Sequence, residues 1–228
     1  MIRPGTVIRR PASSTPPFRA AAAALLALAL GGCSLLGGGK GEPATIYAPD
    51  PRVTLDASAP TVRWQLALAA PQAARMIESS RIAVRPSPGE LQVYRGASWA
   101  KPPPDMLQDA LLRALEDSGR IGAVARQGSG IAADYKLVMD VRRFEAAYAG
   151  NAVPAATIEF NAKLIHSRDQ FIVASRTFRH AEPATGTEIG LVADAFSRGM
   201  EQLTGELAHW ILGAGDAHQR DEHPEERS

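Results

Sequence analysis

Residues 135–142, Tyr-Lys-Leu-Val-Met-Asp-Val-Arg, and residues 156–164, Ala-Thr-Ile-Glu-Phe-Asn-Ala-Lys-Leu, decide the fold. In the first stretch the odd positions are apolar, and in the second the even positions are apolar. Alternation with a period of two is typical of strands that bury one face. The apolar phase shifts at 143–144, which predicts a β-bulge. A third strand over 171–178 follows a turn at 167–170, so three sequential strands predict an antiparallel sheet.

Two helices are predicted to cover one face of this sheet. The longer one, over about 188–212, has apolar residues at intervals of three and four. The earlier one begins near Asp105, a predicted N-cap, and ends at Gly119, which has the position of a C′ glycine. Further strands are predicted at 64–68, 81–85 and 90–95. This order predicts an α/β (α+β) fold, a two-layer sandwich in which a mostly antiparallel sheet is covered by two main helices.

The N-terminal segment has the pattern of a bacterial lipoprotein signal. Arginines without any acidic residue precede an apolar run at 20–30, whose 11 residues are too few for a membrane-spanning helix. Leu30-Gly31-Gly32-Cys33 follows and resembles the lipobox, in which small residues admit a peptidase and the thiol carries the lipid. We therefore predict a signal peptide over 1–32 and lipidation of Cys33, which anchors the mature chain to a membrane. The alternative is a small buried cysteine beside a signal peptide.

Composition divides the mature chain into a tether, one domain and a tail. The Gly- and Pro-rich residues 33–60 predict a flexible tether, 61–213 the folded domain, and 214–228 a disordered, charged tail. Cys33 is the only cysteine, so an internal disulfide is excluded. Four arginines leave with the signal peptide, which changes the net charge from +1 to −3. A mildly acidic chain is a poor partner for nucleic acid.

The sequence contains no recognisable catalytic or metal-binding constellation. Its five histidines lack zinc-ligand spacing, and neither a nucleophile elbow nor a phosphate-binding loop is present. We therefore expect a non-enzymatic protein without a cofactor or metal. Arg142 and Arg143 are candidate contacts for lipid head-groups or an acidic partner, unless they only form a solvent face, and Arg176 and Arg179 extend this cluster. Trp99 either packs under the following helix or marks an interaction surface.

The order of several motifs resembles the ABC-type transport auxiliary lipoproteins. Residues 91–99, LQVYRGASW, precede 100–119, AKPPPDMLQDALLRALEDSG, as the family's Tyr and Trp precede a Pro-rich turn and a Leu-rich helix. Residues 133–146, ADYKLVMDVRRFEA, resemble the family's next strand, which ends in a Phe-Glu pair. The closing helix with Trp210 also fits. The resemblance covers about 64–212.

This resemblance implies a non-catalytic auxiliary component of an ABC transporter that moves lipids between the inner and outer membranes. The implied partners are a permease, an ATPase and a protein with the mammalian-cell-entry (MCE) domain, and a homo-oligomer would suit the role. Ser34, rather than Asp, follows the cysteine, which implies sorting to the periplasmic face of the outer membrane. Two alternatives stay open: a structural or assembly lipoprotein of another envelope complex, and a periplasmic hydrolase.

Overall fold

The computed structural model describes residues 44–222. The predicted signal peptide, Cys33 and the first part of the predicted tether lie outside the described residues, as do 223–228. The strands, in chain order, are β1 (Thr45–Tyr47), β2 (Gln65–Leu68), β3 (Gln72–Ala73), β4 (Arg81–Arg85), β5 (Gln92–Trp99), β6 (Ala123–Arg126), β7 (Tyr135–Ala147), β8 (Ala155–His166) and β9 (Ile172–Pro183). The helices are α1 (Pro103–Ser118) and α2 (Ile189–Glu222).

Strand β7 organises the sheet because it is paired on both edges. On one edge it is antiparallel to β8, from Tyr135 opposite His166 to Ala147 opposite Ala155. On the other edge β2, β3 and β4 pair with it in succession, and all three are parallel to it. Strand β9 extends the sheet beyond β8, while β5 and then β1 extend it beyond β4, and β6 pairs with β2.

The predicted antiparallel arrangement is confirmed for β7, β8 and β9, which make the two longest pairings. The predicted bulge is also present, as a register shift between Val141 and Arg143. The sheet is nevertheless mixed, because β1–β5, β2–β6 and the three short pairings on β7 are parallel. Alternation within a strand shows which face is buried, but it does not show the direction of the neighbouring strand.

The core lies between the sheet and the two helices. On β8, Ile158, Phe160 and Leu164 are buried, and the stripe on α2 is buried from Val192 onwards. The helix α2 packs on β8, β9 and α1, so the helices share one face of the sheet. This arrangement confirms the α+β sandwich and its two main helices.

Trp99 belongs to this core, with 2% of its surface exposed. Its ring meets Phe144 and Phe196 edge-on, with centroids 5.9 and 5.1 Å away. Edge-to-face contacts of this kind add to the free energy gained by burying a large aromatic side chain. Of the two alternatives offered for Trp99, its burial therefore supports packing in the core, here against β7 and α2, and the role as an interaction surface is wrong.

The ends of α1 agree only partly with the prediction. Gly119 has a φ of 60° and donates its backbone N–H to the carbonyl of Glu116, as a left-handed C-terminal glycine should. Asp105, however, is not the N-cap, because the helix already begins at Pro103. Proline suits the first helical position for two reasons. Its ring fixes φ near the helical value, and the N–H that it lacks would have no partner within the helix. Asp105 lies instead in the first turn, where its negative charge interacts favourably with the positive end of the helix dipole.

The folded domain begins earlier than the predicted boundary at 61. Strand β1 already pairs with β5, with Thr45 opposite Ala97. Further along, Asp50 forms an ion pair with Arg113 of α1, and Ala59 is buried. The residues from Thr45 to 60 are therefore part of the domain, since strand pairing and contacts with α1 hold a segment whose proline content predicts only an extended chain.

The domain also ends later than the predicted boundary at 213. Helix α2 continues to Glu222, so the predicted disordered tail begins too early. Gly215 lies against the ring of Trp64, and His218 Nδ1 is 2.9 Å from the hydroxyl of Tyr135. The last turns of α2 are therefore held by contacts of Gly215 and His218. Neither residue adds to a stripe of apolar side chains, so the sequence pattern does not show that the helix continues.

Candidate functional site

The sheet has a second face, opposite the helices, which we call the outer face. In β8 the core positions alternate with Thr157, Glu159, Asn161 and Lys163, and the register places partners of the same face beside them on β7 and β9. On β4, Ile82 and Val84 are buried in the core, so the alternate residues of that strand lie on the outer face. The outer face carries the densest set of charged side chains on the strands.

On β4, β7, β8 and β9 the outer face holds seven basic side chains and three carboxylates. The basic residues are Arg81, Arg85, Lys136, Arg142, Arg143, Lys163 and Arg179, and the acidic residues are Asp140, Glu145 and Glu159. The excess of four positive charges contrasts with the net charge of −3 of the predicted mature chain.

The two predicted site residues on β7 differ in their surroundings. Arg142 is 46% exposed, and its Nε lies 3.4 Å from the carboxylate of Asp140. Arg143 is less exposed, and its guanidinium lies 2.6 Å from Glu145. Arg142 is therefore accessible to a ligand from solvent, whereas the guanidinium of Arg143 is held by its ion pair with Glu145.

Glu145 joins Arg143 to Arg85, although only 4% of its surface is exposed. Arg85 donates from Nε and Nη2 to its two oxygens, at 2.7 and 3.0 Å. Burial by itself would raise the pKa of Glu145, but the hydrogen bonds and charges of Arg85 and Arg143 outweigh it and hold that pKa below its ordinary value. Two cations thus share one carboxylate, and the cluster keeps a positive charge near the surface.

The predicted extension of the basic cluster is divided between the two faces. Arg179 lies on the outer face, 3.8 Å from Glu159. Arg176, three residues earlier on β9, lies on the helix side, with its guanidinium carbon 4.7 Å from the centre of the Phe178 ring. The structure therefore groups Arg179 with Arg142 and Arg143 and separates Arg176 from them.

Sequence reasoning missed five residues that lie on or beside this cluster, namely Arg81, Arg85, Lys136, Lys163 and Ile46. Arg81 and Arg85 reach it because β4 pairs with the distant strand β7, which the sequence does not show. Ile46 of β1 is opposite Ser98 of β5, which is in turn opposite Arg81, so the three form one row on the outer face. Ile46 is 66% exposed. The one sequence signal for the residues on β4 was the alternation of basic and apolar residues in that strand, which indicates that its basic side chains face away from the core.

A groove of about 750 Å³ lies on the helix side, and Ser58, Asp56, His209 and Trp210 are among the residues that line it. The hydroxyl of Ser58 donates to the carboxylate of Asp56 in a local turn. In serine hydrolases the nucleophile donates instead to a histidine. The contacts in this groove are therefore those of a turn rather than of a nucleophile and its base.

The described part of the chain holds neither a metal-binding cluster nor a helix suited to span a membrane. Between residues 44 and 222, no three His, Cys, Asp or Glu side chains are placed to hold a metal ion. Neither α1 nor α2, the helices in that range, combines the length and apolar character needed to cross a bilayer.

Comparisons with known proteins agree with this architecture. The model of the ABC-type transport auxiliary lipoprotein component matches residues 45–208. A Xanthomonas campestris protein of known crystal structure is 57% identical with a TM-score of 0.76, over 78% of this chain and 99% of that chain. The fold is shared with another crystal structure, of an uncharacterised protein, at 17% identity and a TM-score of 0.55, over 70% of this chain and 99% of that one.

A relative of greater length is an uncharacterised protein of Bradyrhizobium diazoefficiens. It is 28% identical over 176 residues, which are 76% of this chain and 47% of the relative, so the chain spans about half the length of that protein. The family model, by contrast, begins at the first residue of β1 and ends within α2, so it matches the folded domain almost completely. The chain therefore belongs to the family of the ABC-type transport auxiliary lipoprotein component.

Proposed function

We propose that this chain is a non-catalytic, lipid-anchored auxiliary subunit of an MCE-type ABC transporter that moves lipids between the inner and outer membranes. The observation that carries the proposal is the family match over the folded domain, which begins 12 residues after the predicted lipidation site at Cys33. Membership of the family links the chain to ABC transport systems. The predicted lipidation adds a membrane anchor, and Ser34 at the next position supports the outer membrane as its location.

The organisation of the domain supports an adaptor rather than an enzyme. Its buried apolar side chains form one continuous core between the sheet and the helices. The charged residues predicted as a site form ion pairs on an open sheet face, where they suit a binding partner better than a small substrate. An adaptor of this kind would bind the transporter, which consists of the MCE protein, the permease and the ATPase, and connect it to the membrane that carries the lipid anchor.

The test is affinity isolation of the tagged full-length protein from detergent-solubilised envelopes, followed by mass spectrometry. We expect recovery of an MCE-domain protein together with permease or ATPase subunits. Cys33→Ser should abolish metabolic labelling with a fatty acid and reduce this recovery, because the chain loses its membrane anchor. Isolation with an outer-membrane β-barrel and no transporter subunit would instead identify a structural or assembly lipoprotein of another envelope complex.

A further inference from the structure

We propose that the outer face of the sheet docks on the anionic head-group layer of the membrane that carries the lipid anchor. This inference goes beyond the proposed function, because it concerns a membrane contact and requires neither the MCE protein nor the ABC subunits. The proposed ligand is an anionic phospholipid bilayer, whose phosphate groups the basic side chains would bind. The contact is peripheral and electrostatic.

The first argument is the charge of the outer face. Its strands carry an excess of four positive charges, while the predicted mature chain carries a net charge of −3. The rest of the predicted mature chain therefore carries a net charge of −7, which is −3 less the four positive charges of this face, so an anionic surface attracts this face more strongly than the remainder of the protein taken together. Each basic side chain near an anionic bilayer strengthens binding about fivefold, and the attraction acts over about 8 Å at physiological salt.

The second argument is the placement of the cations. Arg142 and Arg179 are 46% and 63% exposed, on either side of Glu159 of β8, and Lys163 is exposed four residues further along β8. Their carboxylate partners, Asp140 and Glu159, lie at 3.4 and 3.8 Å, so these pairs are loose and compete weakly with phosphate. Long basic side chains that stand on a twisted sheet can reach several head-groups at once.

The third argument favours a bilayer over an acidic protein. Ile46 lies at the margin of the cationic strands, two strand spacings or about 10 Å from Arg81. An exposed aliphatic side chain beside basic residues is typical of peripheral membrane contacts, in which the apolar group enters the head-group boundary.

The chain also enters the domain at this place. Cys33 precedes Thr45 by 12 residues, which can span at most about 40 Å. A lipid on Cys33 would therefore keep β1 and the adjacent outer face within reach of the bilayer.

Vesicle co-sedimentation tests the contact without the anchor. The protein is the whole mature chain, residues 33–228, with Cys33→Ser so that no acyl chain contributes; its core residues all lie between 59 and 212. We expect binding to vesicles of phosphatidylcholine with phosphatidylglycerol, a loss of that binding at high salt, and little binding to phosphatidylcholine alone. Replacing Arg142, Lys163 and Arg179 by Gln should weaken binding on the order of a hundredfold.

The matched control replaces three exposed basic residues of the helix side, Lys101, Arg198 and Arg220, which also form ion pairs. This triple Gln variant should keep its affinity for the anionic vesicles, and both variants should keep the thermal midpoint of the parent. Equal losses in the two variants would overturn the proposal, as would equal binding to both vesicle types. Because no transporter subunit is present, such a failure would leave the proposed function standing.

Discussion

Glu145 is the clearest case in which a single side chain depends on its neighbours. It is buried, and two guanidinium groups hold its carboxylate ionised on the outer face. Glu145→Gln removes the charge and leaves Arg85 and Arg143 facing each other, so we expect the free energy of unfolding at neutral pH to fall by about 2 kcal/mol. Urea unfolding followed by circular dichroism measures the change. Glu201→Gln, on the exposed side of α2, should have no comparable effect.

The same substitution predicts a pH dependence. The pKa of folded Glu145 lies below its ordinary value of 4.5, so the carboxylate stabilises the protein at every pH above that value. This contribution is lost as the pH falls from 4.5 through the lower pKa of the folded protein. The gap in unfolding free energy between the wild type and Glu145→Gln should therefore narrow in acid. A gap that keeps its full size as the pH falls from neutral to well below 4.5 would contradict the assignment.

At the scale of elements, the last turns of α2 offer a matched pair of glycines. A Cβ added at Gly215 would overlap the ring of Trp64, whereas one added at Gly213 would meet open space. We expect Gly215→Ala to destabilise the protein by about 1–3 kcal/mol through overpacking. Gly213→Ala should instead stabilise it by up to about 1 kcal/mol, because alanine favours the helix. Thermal unfolding of both variants decides the matter, and a stabilising Gly215→Ala would mean that the helix end does not rest on Trp64.

The elements also show what the sequence could and could not predict. Periods of two and of three to four gave the β7–β9 strands and both helices, since each pattern is local and repeated. The bulge near Arg143 was visible for the same reason. The parallel placement of β4 beside β7 was not, because it joins residues about 60 positions apart, as in the contact of Arg85 with Glu145. Only Arg81 and Arg85 depend on that pairing, whereas the members on β7, β8 and β9 lie on strands that the sequence does predict.

At the scale of the whole molecule, a predicted anchor and a proposed docking face both concern the membrane. The predicted lipid on Cys33 leads into β1, and the cations of the outer face begin two strands away at Arg81. The anchor is predicted from a short contiguous motif, the lipobox, and stays a prediction. The cationic face could not be predicted as a whole, because its members come from four strands. Together, the predicted anchor and the proposed docking face would orient the adaptor with its helices away from the bilayer.

Sorting of the whole chain is tested at Ser34. An Asp after the lipidated cysteine commonly keeps bacterial lipoproteins in the inner membrane, and Ser34 does not provide that signal. We therefore expect the wild type in outer-membrane fractions of a density gradient and Ser34→Asp in inner-membrane fractions. Ser34→Thr, which adds no charge, should sediment like the wild type. All three proteins should be cleaved before Cys33, because residue 34 lies after the cleavage site, so their mature masses should differ only by the substituted side chain. Wild-type protein in the inner-membrane fractions would refute the outer-membrane location, and the adaptor would then have to meet the permease directly.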